Sequence, residues 1–153
     1  MTKKKIPVNN KKEIRQPVSF SISRIELIES SINVPEKFEF KVGEKFTFKL
    51  SVDFTSDKQL SLLTVKISYF FYMHDDIVFS MVVNNEYCIN NIAKYIVDKK
   101  FSDRIFIKYI ADLSLNHARG IQATIIKDTP LSKLFIPVVQ LDRIENEIIV
   151  DPE

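Results

Sequence analysis

The chain has 153 residues, 45% of them apolar and 27% charged, and a net charge of +2. These figures describe one ordinary globular domain that buries about two-thirds of its unfolded surface, with no run of about 18 apolar residues to span a bilayer. The opening MTKKKIPVNNKK lacks the hydrophobic block of a secretory signal, and the single cysteine, Cys88, excludes an internal disulfide framework and predicts a reducing, cytoplasmic compartment.

Residues 1–17 hold six basic side chains (Lys3, Lys4, Lys5, Lys11, Lys12, Arg15) against Glu13, or +5, which leaves −3 on the rest of the chain. With no apolar periodicity, this stretch predicts a flexible basic arm, followed by a single domain over 18–153. A basic arm could meet nucleic acid or an acidic partner, and a solvated tail explains it as well; the acidic body argues against nucleic acid.

The first strand pattern starts at Val18. Phe20 and Ile22, then Ile25 and Leu27, alternate with Ser, Arg and Glu, and the change of phase near Ser23-Arg24 predicts a bulge. Ser30 to Glu36 reads as a connection. Beyond it, Phe38, Phe40, Val42, Phe46, Phe48, Leu50, Val52 and Phe54 all fall on even positions, with Lys, Glu, Thr, Ser and Asp among the odd ones. That contrast predicts a strand with one buried and one wet face. Gly43-Glu44 divides the run into a separate segment, Phe38–Val42, and a strand, Phe46–Phe54, closed by a turn at Thr55–Lys58. Leu63, Val65, Ile67, Tyr69 and Phe71 continue the period, while Leu62, Phe70 and Tyr72 make the second face partly apolar. After a turn at His74-Asp75-Asp76, Ile77, Phe79, Met81 and Val83 begin a fourth strand running toward Tyr87-Cys88-Ile89. Four strands with short turns predict an antiparallel meander.

Asn90–Lys100 reads as a bridge, and Ser102 is placed to cap a helix running to Lys127, with Asp103 in its first turn. Phe106, Ile110, Leu113, His117, Ile121 and Thr124 form one stripe; Ile107, Ala111, Leu115, Ala118 and Ile125 lie near a second. Two apolar stripes predict a helix sandwiched between two surfaces. Gly120, which costs about 1 kcal/mol in a helix interior, predicts close packing at that point. Asp128-Thr129-Pro130 ends the helix. An extended piece, Leu134–Val139, and a short amphipathic turn around Leu141–Ile149 complete the chain. The predicted class is α+β: a four-stranded antiparallel sheet with one long helix packed on one face.

Two glycines, Gly43 and Gly120, are too few for a phosphate-cradling loop. Two histidines and one cysteine are short of ligands for an ordinary zinc site. His74-Asp75-Asp76 has the residue types of an ion site or a base, and a polar hairpin turn accounts for it equally. His117 on an apolar stripe reads as a hydrogen-bonded buried or interface histidine rather than a catalyst. Nothing basic adjoins Cys88 to lower its pKa, so it is expected to be packed and inert. No spacing singles out a carboxylate pair. The expectation is a protein that is not an enzyme and takes no cofactor or metal. The aromatic content stands out instead, with twelve Phe and five Tyr but no Trp. Phe38 and Phe40, on connecting or edge structure, are open to exposure, and exposed apolar patches mark binding sites; core packing is the competing reading.

With these elements placed, the chain resembles the SecB family of protein-export chaperones, in particular its divergent SecB-like members. The likeness is carried by Ile25–Ile32 (IELIESSI) ahead of an aromatic-rich strand, by the order of four strands and then one long helix, and by the run HARGIQATIIKDTPLSKLFIPVV. That run looks like the family's helix with Ala-Arg near its middle, then a turn and an apolar segment reaching a proline. The likeness covers about Val18–Ile144.

The resemblance implies an ATP-independent holdase in which two subunits pair and two dimers pack through their long helices into a homotetramer. On this chain the matching interface is Ile110, Leu113, His117, Ala118, Gly120 and Ile121. It also implies apolar grooves for unfolded or secretory polypeptides, lined here by Phe38, Phe40 and Val42 in the connection and by Leu134, Phe135 and Ile136 after the turn. Recognition through apolar side chains and peptide backbone needs no catalytic group. The family's acidic surface engages an export motor; here the body carries only −3, beside a basic arm. Val138-Val139-Gln140 stands where the family often has Asn-Pro or Asn-Phe. The alternative is a dedicated interaction module, or a toxin–antitoxin-associated SecB-like chaperone, that holds one specific partner.

Overall fold

The structure is a computed structural model that describes residues 18–35, 37–41, 43–57, 59–143 and 148–150. The basic arm expected over 1–17 lies outside them, as does Val42. The elements are β1 (Phe20–Ile32), β2 (Phe46–Ser56), β3 (Leu62–Met73), β4 (Asp76–Ile89), a two-residue pair β5 (Ile96–Val97) and β6 (Lys100–Phe101), the helix α1 (Arg104–Ile126), and β7 (Ile148–Val150). The class is the expected one, a mostly antiparallel sheet with one long helix.

Two features of the sheet differ from the expectation. Its order is β1-β4-β3-β2-β7, so the meander holds for β2, β3 and β4 only, and β1 lies beside β4. Residues 33–45 form a connection far longer than a hairpin turn, which frees β1 from its sequence neighbour; three hairpin-joined strands with a fourth beside the first make a Greek key. The second difference is a fifth strand, β7, which runs parallel to β2 at Phe54, Thr55 and Ser56. With three residues it is too short to show a period in sequence.

Local chemistry explains the turns. The Asp57 carboxylate accepts from the Ser61 and Leu62 amides, both at 2.7 Å, and so closes the β2–β3 hairpin. The bulge expected near Ser23-Arg24 is present as a register shift between Ile22 and Arg24, and another follows between Leu27 and Glu29. The helix cap is Asp103, not Ser102: Asp103 Oδ1 accepts from the Ile105 and Phe106 amides, both at 3.1 Å. Ser102 Oγ instead donates to the Tyr95 carbonyl at 3.1 Å, closing the bridge before α1.

Strand alternation aims Leu63, Val65, Ile67, Tyr69 and Phe71 of β3, and Phe79, Met81, Val83, Tyr87 and Ile89 of β4, at α1, where all are buried. The helix meets them with Ile107, Ile110, Ala111, Leu115, Ala118 and Ile126. Two polar bridges cross this apolar interface. Ser114 Oγ donates to the Ile110 carbonyl at 2.8 Å, so the Tyr87 hydroxyl is the donor in its 2.7 Å bond to Ser114. The fully buried Asn85 accepts from His117 Nδ1 at 2.8 Å, which assigns the imidazole proton to that nitrogen. Pairing of this kind is what makes buried polar groups tolerable.

The helix covers β3 and β4 and reaches the β1 edge at the strand's first residue, where the Phe20 ring meets Phe106 and Tyr109 edge to face with centroids 5.8 and 6.0 Å apart. Ile22, Ile25 and Leu27 stand opposite Tyr87, Asn85 and Val83, hence on the same face, yet remain 47%, 40% and 39% exposed. Cys88 falls between Tyr87 and Ile89 on the other face of β4 and is exposed, not packed as expected. No helix among the described residues is long and apolar enough to cross a membrane.

Candidate functional site

After β1 the chain turns at Pro35, whose carbonyl accepts from the Phe38 amide at 2.9 Å, and then carries two aromatic rings. Phe38 and Phe40 meet edge to face with centroids 5.2 Å apart, and Phe40 rests on Phe46 at the start of β2, also at 5.2 Å. A second turn brings the chain into β2: the Glu44 amide donates to the Lys41 carbonyl at 3.1 Å, and Gly43 takes φ +88°. A positive φ at the third position of such a turn favours glycine. Both rings are half-buried.

The other wall comes from the end of α1. Thr129 Oγ1 donates to the Ile126 carbonyl at 2.9 Å and accepts from the Leu131 amide at 3.2 Å, which stops the helix and starts a tight turn. The buried Leu131 pins that turn to the core. Between the walls lies a cleft of about 370 Å³ lined by Phe38, Glu39, Phe40, Pro130, Ser132 and Lys133. Its surface combines two aromatic rings with one carboxylate, one ammonium and one hydroxyl and is polar for the larger part, so a chain entering it meets polar groups as well as the two rings.

Two of the six residues of the expected peptide-binding set are therefore brought together, and a third, Val42, lies outside the described residues. Phe38 and Phe40 line the cleft, but Pro130, Ser132 and Lys133 take the place expected for Leu134, Phe135 and Ile136. Leu134 and Ile136 are buried in the chain's own core, and Phe135 between them is 72% exposed. Alternation along the segment produces this split, as it would on a strand.

The run that follows the cleft is tied down by two side chains of α1. Gln122, 2% exposed, donates from Nε2 to the Leu134 carbonyl at 3.3 Å and accepts from the Ile136 amide at Oε1 at 3.2 Å. Arg119 Nη2 donates to the Pro137 carbonyl at 2.9 Å. The proline also restrains Ile136 to extended backbone. Sequence reading missed Gln122, although its position four residues after Ala118 and four before Ile126, on a buried stripe, was a usable signal.

The expected helix interface divides. Ile110 and Ala118 are fully buried against this chain's own sheet; Leu113, His117 and Ile121 are half-buried and Gly120 is exposed. A Cβ built on Gly120 would meet nothing within 4 Å. Burial lowers the His117 pKa and raises those of Tyr87 and Tyr69. The Tyr69 hydroxyl is buried without a hydrogen-bond partner among the described residues. His74 and Asp75 form the exposed β3–β4 turn, with Asp76 opening β4. Among the described residues, no three His, Cys, Asp or Glu side chains are grouped to hold a metal ion.

No protein-family profile and no curated protein matches the chain. Among solved structures it is similar to a SecB-like chaperone of Mycobacterium tuberculosis in complex with a ChAD peptide from the HigA1 antitoxin, with a TM-score of 0.48 and 13% identity over 78% of this chain and 90% of that one.

Proposed function

We propose that this chain is a non-catalytic chaperone of the SecB type that seats apolar side chains of extended polypeptides in the cleft between the β1–β2 connection and the turn after α1. The observation that carries this reading is the Phe38–Phe40 ring pair. It sits half-buried on irregular backbone at the mouth of the cleft, packed against the edge of the core on one side and leaving apolar surface for a ligand on the other. The test is light scattering of an aggregating client with and without equimolar protein. Suppression by the wild type that Phe38→Ser/Phe40→Ser loses is the expected result; no suppression by the wild type counts against the reading.

A homo-oligomer belongs to the same proposal. The β1 edge and its exposed Ile22, Ile25 and Leu27 form one surface for a second chain, and the outward Leu113, Gly120 and Ile121 of α1 form another. An open 13-residue edge strand is a pairing template unless covered. A dimer of dimers would use both surfaces; a strictly monomeric mass in solution removes this part.

A second reading is favoured by the size of the cleft. About 370 Å³ admits only a few side chains, which suits a short motif in one partner, such as a toxin–antitoxin protein, better than a broad set of secretory clients. Several unrelated unfolded clients separate the two: a general holdase suppresses aggregation of most, a dedicated chaperone of none but its partner.

A further inference from the structure

The clamp at Gln122 has the geometry of a strand pairing. In an extended backbone, the C=O of one residue and the N–H of the residue two further on point to the same edge, and the residue between them points both its groups to the opposite edge. Gln122 engages the Leu134 carbonyl and the Ile136 amide, so its side-chain amide stands where a partner strand's peptide group would stand. The N–H and C=O of Phe135 therefore face away from α1, and among the described residues neither has a hydrogen-bond partner. The Phe135 ring is itself exposed, and Lys133, two residues earlier, lines the cleft. Arg119 on Pro137 fixes the far end of the run.

We propose that Phe135 offers its main chain as a docking edge for an extended polypeptide strand, and that Gln122 is the positioning residue that presents it. The inference rests on the cleft being a polypeptide site and adds how the client is read: its backbone pairs with Phe135 N–H and C=O while one of its apolar side chains enters the cleft. Pairing through backbone groups tolerates sequence variety, because every residue but proline carries them. Gln122 achieves this because its amide, unlike an aliphatic side chain, satisfies one edge of the run and keeps it extended with the other edge free.

The test uses the full chain and a fluorescein-labelled peptide, Lys-Lys-Leu-Ser-Phe-Ser-Leu-Lys-Lys, in fluorescence anisotropy. Two further versions carry backbone N-methyl groups on alternate residues, one version for each edge of the extended peptide. The wild type is expected to bind one methylated version about tenfold more weakly than the parent and the other nearly as well, the size expected for loss of one or two hydrogen bonds. Equal affinity for all three, or an equal loss for both methylated forms, overturns the docking edge. Gln122→Leu, with its helical circular dichroism unchanged, should bind the parent about tenfold more weakly and no longer discriminate between the methylated forms. Retained discrimination overturns the positioning role. If Gln122→Leu does not fold, Gln122→Glu, which keeps the acceptor for Ile136 and loses the donor to Leu134, decides that point by the same readout. Failure of the wild type to bind the unmethylated peptide is a different result, and it removes the cleft reading itself.

Discussion

β1 and β3 carry the same kind of alternating pattern toward the same face of the sheet, and they meet different fates. In β3 every second residue from Leu63 to Phe71 is sealed beneath α1, whereas in β1 the matching Ile22, Ile25 and Leu27 stay about two-fifths or more exposed. A single helix with its side chains is about 10–12 Å across, the width of two to three strands. It lies over β3 and β4, reaches β1 at Phe20, and leaves Ile22, Ile25 and Leu27 exposed. The contrast teaches that apolar periodicity marks a face that can be buried, while the number of available covering layers decides whether one chain buries it.

Substitutions at the two strands should break this symmetry most clearly. Ile67→Ala empties a fully buried site and should destabilise the fold by about 2–5 kcal/mol in denaturant titration. Leu27→Ala, on a 39% exposed site, should cost the isolated protomer much less, and an equal loss would mean the edge is already covered. At the sheet–helix contact, Ser114→Ala leaves the Tyr87 hydroxyl without its acceptor and should cost about 1–3 kcal/mol. On the outward side of α1, Gly120→Ala should stabilise the protomer by about 1 kcal/mol, since a Cβ there meets nothing. A loss of stability that grows with protein concentration would show that a second chain packs against Gly120.

Ile25→Lys sharpens the comparison differently. Its effect on protomer stability should stay within about 0.5 kcal/mol, as for an ordinary surface change, while sedimentation should show dissociation of the proposed oligomer. The smallest expected effect is on pH. Burial holds the His117 pKa below its ordinary 6.5, so the unfolded chain takes the proton first. The stability tied to neutral His117 is complete above that ordinary value and is lost as the pH falls through the lower folded value. A His117→Gln variant should show a flatter stability profile across that window; an unchanged profile would mean another group sets it.

Much of the fold was legible because it is written in local periods. Phe46–Phe54 and Leu63–Phe71 could be read as strands since their period of two is local, though Phe48 on the expected buried face of the first is 39% exposed, and the break near Ser23-Arg24 announced a bulge that is there. Phe38 and Phe40 could be picked out because they are aromatic on a segment without a regular partner. Leu134, Phe135 and Ile136 could not be sorted correctly as a block. Their fates alternate, and only the packing of the run against α1 shows which of them faces inward. Ser114 and Gln122 read in sequence as polar interruptions of apolar stripes, although each is buried with a partner 12 or more residues away.

By itself, the sequence determined the kind of each major element, the apolar face of the long strands, and the stop after α1, because backbone period and proline act within a few residues. Only the tertiary structure decided that β1 pairs with β4, that Ile148–Val150 joins the edge of β2, and that Gln122 clamps the run beside the cleft. Strand partners and the bonds of buried amides are chosen by groups a dozen or more residues apart, and they are settled by which arrangement covers the most apolar surface while leaving the fewest polar groups unpaired.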